Sequence, residues 1–180
     1  MLNKKKISIV STCYNEKDNL QEFHDRIMKV LDDFPQYSYE IIMADNCSTD
    51  GSREELRRIA TKDKNFKIIF NANNVGPNRS GFNALLNASG DAAIPMSSDL
   101  QDPPELIAQF IQKWENGYQV VVGIKTQSKE NSIMFGIRRF FYWLLSKFSD
   151  DDQIIPNFTG FGLYDRKFLD AMKLFSEPAP

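Results

Sequence analysis

Three oxygen-bearing side chains stand directly after a short apolar run in the stretch DAAIPMSSDLQDPPE, residues 91–105. Asp99, Gln101 and Asp102 lie within four residues, and two prolines follow them. Carboxylate and amide oxygens suit Mg²⁺ or Mn²⁺, which takes the rest of its ligand shell from water and substrate phosphates. The stretch therefore predicts a cation site made by Asp99 and Gln101, with the prolines fixing the turn that aims them at a diphosphate.

Two further polar clusters, at residues 12–16 and 45–50, also follow apolar runs that read as strands. Turns are polar in any protein, so one such cluster would mean little. Ligands of parallel sheets bind outside the carboxyl ends of the strands, so three clusters after three strands predict one polar crevice. There Asp45 is placed to accept the N–H groups of a uracil or guanine ring, and Tyr14 to stack on the base.

A phosphate could meet the backbone N–H groups that follow Gly76 and the guanidinium group of Arg79. The sequence contains no GxGxxG after its first strand, no GxxxxGK[ST] and no GxSxG. These absences weigh against dinucleotide binding, a P-loop and a serine hydrolase.

Apolar patterning predicts strands that alternate with helices. The predicted strands are 6–12, 39–44, 66–71, 92–97 and 119–124, and the predicted helices are 17–34, 52–62, 77–88 and a segment from the prolines to about Trp114. Asn15 is available as the cap of the first helix. Such alternation predicts an α/β fold with a mainly parallel sheet and helices on both faces.

Composition restricts the classes of protein that fit. The chain has 180 residues, 42% of them hydrophobic, and a net charge of -2, so nothing marks a nucleic-acid binder. No stretch approaches the roughly 18 apolar residues of a membrane span, and no signal peptide is evident, so we expect a cytoplasmic location. Cys13 and Cys47 make no disulfide framework, and His24 has no obvious metal-ligand partners.

Residues 133–148 have the pattern of an amphipathic helix that carries cations and interfacial aromatic side chains. This predicts a helix at the inner face of a membrane, where Arg138 and Arg139 would pair with an acceptor phosphate. Lys125 is a further candidate for phosphate contact. The alternatives are a helix packed on the sheet with its arginines in water, and an ordinary loop lysine.

Four ordered motifs resemble the family 2 glycosyltransferases of GT-A fold, and within them the branch that passes sugars to polyprenyl phosphate. The motifs are STCYNE (11–16), DNCSTDGS (45–52), NNVG (73–76) and GDAAIPMSSDLQDPPE (90–105). The resemblance implies one catalytic domain over residues 1–180, which is either a form truncated before membrane helices or a minimal domain. It also implies metal-dependent, inverting transfer from a UDP- or GDP-linked sugar to polyprenyl phosphate at the membrane surface.

Site residues follow from the clusters and the resemblance together. The candidate nucleotide-binding residues are Thr12, Tyr14, Glu16, Asp45, Gly76, Arg79, Ser97 and Ser98. Asp99 and Gln101 are the candidate metal ligands, and Asp99 and Asp102 the candidate catalytic residues. Ser97 stands where the family has an acid, so Asp99, Gln101 and Asp102 would carry more of the cation binding.

Two other functions stay open. The same fold could transfer sugar to a hydroxyl of a glycan, which would require a carboxylate base such as Asp165 or one of residues 150–152. A nucleotide-sugar binding module without turnover is the other alternative. It is motivated by Ser97 and by Gly160 and Gly162, which replace an acid and an arginine of the family's pattern.

Overall fold

A computed structural model describes residues 4–124 and 158–174 of the chain. Its strands are β1 Lys6–Cys13, β2 Ser38–Asp45, β3 Phe66–Phe70, β4 Ala92–Pro95, β5 Val120–Ile124 and β6 Phe158–Asp165. Its helices are α1 Lys17–Leu31, α2 Ser52–Lys62, α3 Pro77–Leu86, α4 Leu106–Glu115 and α5 Arg166–Met172. Every predicted element in this range is confirmed within about three residues, whereas β6 and α5 were not predicted.

The six strands form one sheet in the order β3-β2-β1-β4-β6-β5. β1 pairs in parallel with β2 and β4, β2 pairs in parallel with β3, and β6 is antiparallel to β4. The mainly parallel sheet is thus confirmed. Among the described residues, 4–121 and 161–174 belong to one compact unit, and 122–124 and 158–160 belong to another.

Helices cover both faces of the sheet because apolar side chains alternate along the strands. Ile7 and Ile9 of β1 belong to the larger core cluster, which also takes in buried side chains of α1, α2 and α4. Val10 belongs to a smaller cluster with Ala84 of α3 and Leu169 of α5. In the described residues, no helix has the length and apolar character needed to cross a membrane.

Asn15 does not cap α1, contrary to the sequence prediction. The helix begins after Glu16, which makes no side-chain cap. Asn15 has a positive φ of 57°, and its Oδ1 accepts a hydrogen bond from the Thr49 amide at 2.9 Å. The Asn15 side chain therefore bonds to the loop after β2 and does not cap α1.

A buried carboxylate joins the amino-terminal ends of several strands. Glu40 of β2 accepts hydrogen bonds from Ser8 Oγ at 2.6 Å and from the Ser89 amide at 2.7 Å, and it forms an ion pair with Lys67. A Cβ atom on Gly90 would lie 2.6 Å from Ser8 Oγ, so only glycine fits against this cluster. Burial raises the pKa of Glu40, but the Lys67, Ser8 and Ser89 hydrogen bonds outweigh it and bring the pKa to about 2.

Glu40→Gln should therefore lower the free energy of unfolding by about 2–3 kcal/mol at pH 7. Since the folded-state pKa lies below the unfolded value near 4.5, this stability is present above about pH 4.5 and is lost as pH falls toward 2. Urea unfolding at pH 7 and pH 3 measures the difference, with Glu54→Gln on the exposed face of α2 as the matched control. Equal unfolding free energies for Glu40→Gln and the wild type at pH 7 would contradict this account.

Candidate functional site

The parallel register brings the carboxyl ends of four strands to one edge of the sheet. Cys13 at the end of β1 pairs with Asp45 at the end of β2, and Asp45 pairs with Phe70 at the end of β3. β4 ends close by, since Val10 pairs with Pro95. The prediction that the three polar clusters follow strands at the same edge is confirmed.

Hydrogen bonds join the loops that follow β1 and β2. The Asn15 amide donates to Ser48 Oγ at 2.9 Å, and the Glu16 amide donates to Ser52 Oγ at 3.1 Å. Asp50 in turn accepts from the Ser52 amide at 2.9 Å. Burial raises the pKa of Asp50, but its hydrogen bonds, those from Ser52 foremost, lower it overall. The two loops are therefore fixed against each other by hydrogen bonds to the buried hydroxyl groups of Ser48 and Ser52.

The loop after β4 is fixed to β1 by a different pair of contacts. Ser98 is buried, and its Oγ donates to the Thr12 carbonyl oxygen at 2.8 Å. Asp102 is only 6% exposed, and its Oδ2 accepts from the Ser97 amide at 3.4 Å. These contacts favour a positioning role for Ser98 and Asp102, whereas Asp102 as a catalytic residue stays a prediction.

Asp99 lies half-buried in this loop with its carboxylate oriented by the backbone. Its Oδ1 accepts a hydrogen bond from the Gln101 amide at 3.0 Å, across Leu100, which has a positive φ of 61°. Within residues 4–124 and 158–174, Oδ2 accepts no hydrogen bond. The exposed side chain of Gln101 adds an amide oxygen to the same turn.

The side-chain oxygens of Asp99 and Gln101 suit a cation that binds together with a substrate diphosphate. The described residues contain no group of three or more His, Cys, Asp or Glu side chains able to hold a metal. A cation at Asp99 and Gln101 would therefore need water and diphosphate oxygens for most of its shell. Mg²⁺ and Mn²⁺ accept that kind of coordination.

Asp45 is fully buried, and an arginine that sequence reasoning missed covers it. Arg53 Nε donates to Asp45 Oδ2 at 2.5 Å, and the Ser48 amide donates to Oδ1 at 3.2 Å. Burial, followed by the Asp45 charge, raises the pKa of Cys13 to about 12, so the thiol stays protonated beside the carboxylate. The only hint of this contact in the sequence is that Arg53 stands in the first turn of α2, eight residues after Asp45.

Asparagine side chains set the shape of the loop before α3. Asn46 Oδ1 accepts from the Val75 amide at 2.9 Å and from Asn71 Nδ2 at 3.2 Å. Asn46 Nδ2 donates to Asn74 Oδ1 at 2.7 Å, and that oxygen also accepts from the Gly76 amide at 3.0 Å. The Val75 and Gly76 N–H groups are thus already bonded, whereas the N–H groups after Gly76, which the sequence suggested for a phosphate, belong to the first turn of α3.

The remaining candidate residues are distributed along the same edge. Tyr14 is 49% exposed, Arg79 is exposed and Thr12 is half-buried. Glu16 accepts from Asn19 Nδ2 at 2.6 Å. Lys125, Arg138 and Arg139, the segment 133–148 and residues 150–152 lie outside the described residues.

Asp165, the base suggested for a hydroxyl acceptor, lies at the opposite edge of the sheet. It pairs with Ala92 at the start of β4, whereas the site follows the end of that strand. Its carboxylate accepts from Trp114 Nε1 at 2.7 Å and from the Lys167 amide at 2.9 Å. Burial raises the pKa of Asp165, but these bonds and the Lys167 charge lower it overall. Asp165 therefore caps α5 and is not placed to act as a base at the site.

The fold is that of the GT-A glycosyltransferases, and known proteins resemble the chain over most of its length. A mannosyltransferase from Pyrobaculum calidifontis, solved with GDP-mannose and Mn²⁺, superposes with a TM-score of 0.63 over 95% of this chain and 47% of its own, at 20% identity. The glycosyltransferase YkcC of Bacillus subtilis is 38% identical over 96% of this chain and 53% of its own length. A bactoprenol glucosyl transferase of Shigella phage SfV is 30% identical over 96% of this chain and 56% of its own.

The family model for glycosyl transferase family 2 matches residues 8–172, and the chain belongs to that family. The chain spans about half the length of the curated relatives it matches. The resemblance seen in the four sequence motifs is thereby confirmed at the level of the family and the fold.

Asn46→Ala should loosen the loop before α3, because it removes one acceptor and one donor that together hold Asn71, Asn74 and Val75. We expect a loss of about 1–3 kcal/mol in unfolding free energy and faster hydrogen exchange at the Val75 amide. The matched control is Asn73→Ala in the same loop, since Asn73 is exposed and its side chain bonds to nothing in the described part of the chain. Unchanged exchange at Val75 in Asn46→Ala would contradict this assignment.

Proposed function

We propose that this chain is the catalytic region of an inverting glycosyltransferase that moves a sugar from a nucleotide diphosphate sugar to a polyprenyl phosphate. The observation that carries the proposal is the placement of Asp99. Its loop is bonded to β1 through Ser98 and Thr12, next to the loops that carry Tyr14 and Asp45. The similarity to a bactoprenol glucosyl transferase supports the choice of acceptor.

Different residues would bind the two ends of the donor nucleotide. The half-exposed ring of Tyr14 suits stacking on the base, and the Asp45 cluster belongs to the same end. Asp99 and Gln101 would hold Mg²⁺ or Mn²⁺ against the diphosphate. When bound, the cation would neutralise charge that develops on the leaving diphosphate. Asp102 and Ser98 would act by keeping this turn rigid, which aligns the ligands before substrate arrives.

Transfer of a sugar to a phosphate acceptor needs no strong general base from the protein. A phosphate oxygen is already ionised at neutral pH. It attacks the anomeric carbon, forms the new C–O bond on the face opposite the diphosphate and releases the nucleotide. Of the bases suggested for a hydroxyl acceptor, Asp165 is bound to Trp114 and Lys167 at the other edge, and residues 150–152 lie outside the described residues. Lys125, Arg138 and Arg139 stay predicted acceptor contacts, and residues 133–148 a predicted membrane-surface helix.

A binding module without turnover is the second candidate, and Ser97 is the observation that favours it. Its hydroxyl replaces a carboxylate of the metal motif, and its amide is bonded to Asp102. A hydroxyl is a weaker cation ligand than a carboxylate, so cation affinity would rest on Asp99. Release of nucleotide in the presence of acceptor separates the two candidates directly.

The test is nucleotide release from UDP- and GDP-sugars with Mn²⁺, in the presence of polyprenyl phosphate or of an oligosaccharide. We expect release with polyprenyl phosphate only. Asp99→Asn keeps the Oδ1 acceptor for the Gln101 amide but removes the charge, so activity should fall roughly 100- to 1000-fold without unfolding. Asp33→Asn, at an exposed position after α1, is the control.

Full activity of Asp99→Asn would refute the cation assignment. Release with oligosaccharides alone would refute the proposed acceptor. Tight nucleotide binding with no release under any acceptor would favour the binding module.

A further inference from the structure

The turn that carries the candidate metal ligands leads directly into α4, where an arginine of α1 binds it. Glu105 stands at the start of α4, and its side chain does not cap that helix. Arg26 Nε donates to Glu105 Oε1 at 3.0 Å, and Arg26 Nη2 donates to Glu105 Oε2 at 2.8 Å. Both carboxylate oxygens of Glu105 are therefore bound by one side chain of a different helix.

The ion pair of Arg26 and Glu105 is bidentate, so two hydrogen bonds fix the planes of both groups. The hydrogen bond from Arg26 lowers the pKa of Glu105 against the opposing effect of burial, which keeps the carboxylate charged at neutral pH. The two side chains are 31% and 59% exposed, so water screens the pair and it adds little to global stability. The contact can nevertheless fix where the start of α4 lies relative to α1.

The chain between the candidate metal ligands and Glu105 is stiff. It contains Pro103 and Pro104, whose rings fix the backbone φ angle. The Leu106 amide donates to the Pro103 carbonyl oxygen at 3.1 Å, which joins the prolines to the first turn of α4. A shift of Glu105 would therefore also move Gln101.

The other end of the same turn is fixed to β1, because Ser98 Oγ donates to the Thr12 carbonyl oxygen at 2.8 Å. α1 begins at Lys17, shortly after β1 ends at Cys13. The strand thus binds one end of the turn, and the helix that follows the strand binds the other. Asp99 and Gln101 lie between these two points of attachment.

We propose that Arg26 and Glu105 are positioning residues that hold Asp99 and Gln101 in the arrangement that binds the divalent cation. This inference rests on the proposed function, which assigns the cation to these two ligands. Contacts that orient ligands raise the affinity for a cation without touching it. The Gln101 amide donates to Asp99 Oδ1 at 3.0 Å, so hydrogen exchange of that amide reports on the order of the turn.

The first test needs no cation. It is amide hydrogen exchange of the whole chain and of the variants Arg26→Gln and Glu105→Gln. We expect the Gln101 amide to exchange roughly 3- to 10-fold faster in both variants, because the turn opens more often when one end is released. The Asn71 amide, which donates to the Asp45 carbonyl oxygen at the end of β2, should exchange as in the wild type.

The second test is titration calorimetry of UDP and GDP over a series of Mn²⁺ concentrations. The Mn²⁺ concentration for half-maximal nucleotide affinity should rise roughly 3- to 10-fold in both variants, while nucleotide affinity without Mn²⁺ stays unchanged. The double variant should match either single variant, because the two residues form one contact. Charge alone would act differently: loss of the Arg26 cation would strengthen Mn²⁺ binding, and loss of the Glu105 anion would weaken it.

Arg58→Gln is the matched control. Arg58 of α2 is also exposed, and its Nε donates to Glu55 Oε2 at 2.8 Å, but neither residue belongs to the turn or to α1. This variant should keep the wild-type exchange and Mn²⁺ dependence. Thermal unfolding checks the fold of every variant. Arg26→Lys keeps the charge but loses the bidentate contact, and it carries both tests if a glutamine variant does not fold.

Wild-type exchange at Gln101 or wild-type Mn²⁺ dependence in a folded variant would overturn the inference and leave the proposed function intact. Opposite effects of the two substitutions on Mn²⁺ dependence, or effects that add in the double variant, would do the same. Failure of the wild type to bind UDP or GDP with Mn²⁺ would instead remove the proposed function, and the inference with it.

Discussion

The parallel pairing of β1 with both β2 and β4 is the constraint on which the site depends. Parallel neighbours end at the same edge of a sheet, so loops far apart in sequence meet there. The register places Cys13 beside Asp45 and Val10 beside Pro95. An antiparallel β4 would send Asp99 to the other edge, as happens to Asp165 at the end of the antiparallel β6. The direction of a strand thus decides the place of the aspartate that follows it. Asp99 lies at the candidate cation site, whereas Asp165 caps a helix at the other edge.

Side-chain hydrogen bonds then convert a shared edge into a site of fixed shape. Small polar residues do most of this: Ser48 and Ser52 bond to the backbone of the loop after β1, and Ser98 bonds to the backbone of β1 itself. The buried carboxylate of Asp45 holds Arg53, and Asn46 holds the loop before α3. Rigidity matters because side chains that must become ordered on binding cost free energy, which weakens the binding of a cation or a nucleotide. The site's polar residues therefore divide into those that orient the loops and those that remain available to substrate.

The sequence was sufficient for β1 to β5, for α1 to α4 and for the edge that the parallel strands share, because apolar period and turn residues report local structure and the parallel-sheet rule supplies the rest. It did not reveal β6, whose segment FTGFGLYD contains two glycines, one with a φ of 86°, and lacks a continuous apolar run. It also did not reveal that Arg53 covers Asp45, since that contact depends on how α2 packs against the end of β2. The cap assigned to Asn15 was wrong for the same reason: a contact across the site outweighed the local preference.

We propose above all that a nucleotide diphosphate and a divalent cation bind together at the carboxyl edge of the sheet. Paramagnetic broadening of amide NMR signals by Mn²⁺, measured with and without UDP or GDP, locates the cation most directly. We predict nucleotide-dependent loss of signal centred on Asp99 and Gln101 and extending to Tyr14, with the Asp165 signal intact. Broadening centred elsewhere, or the same broadening without nucleotide, would contradict the claim.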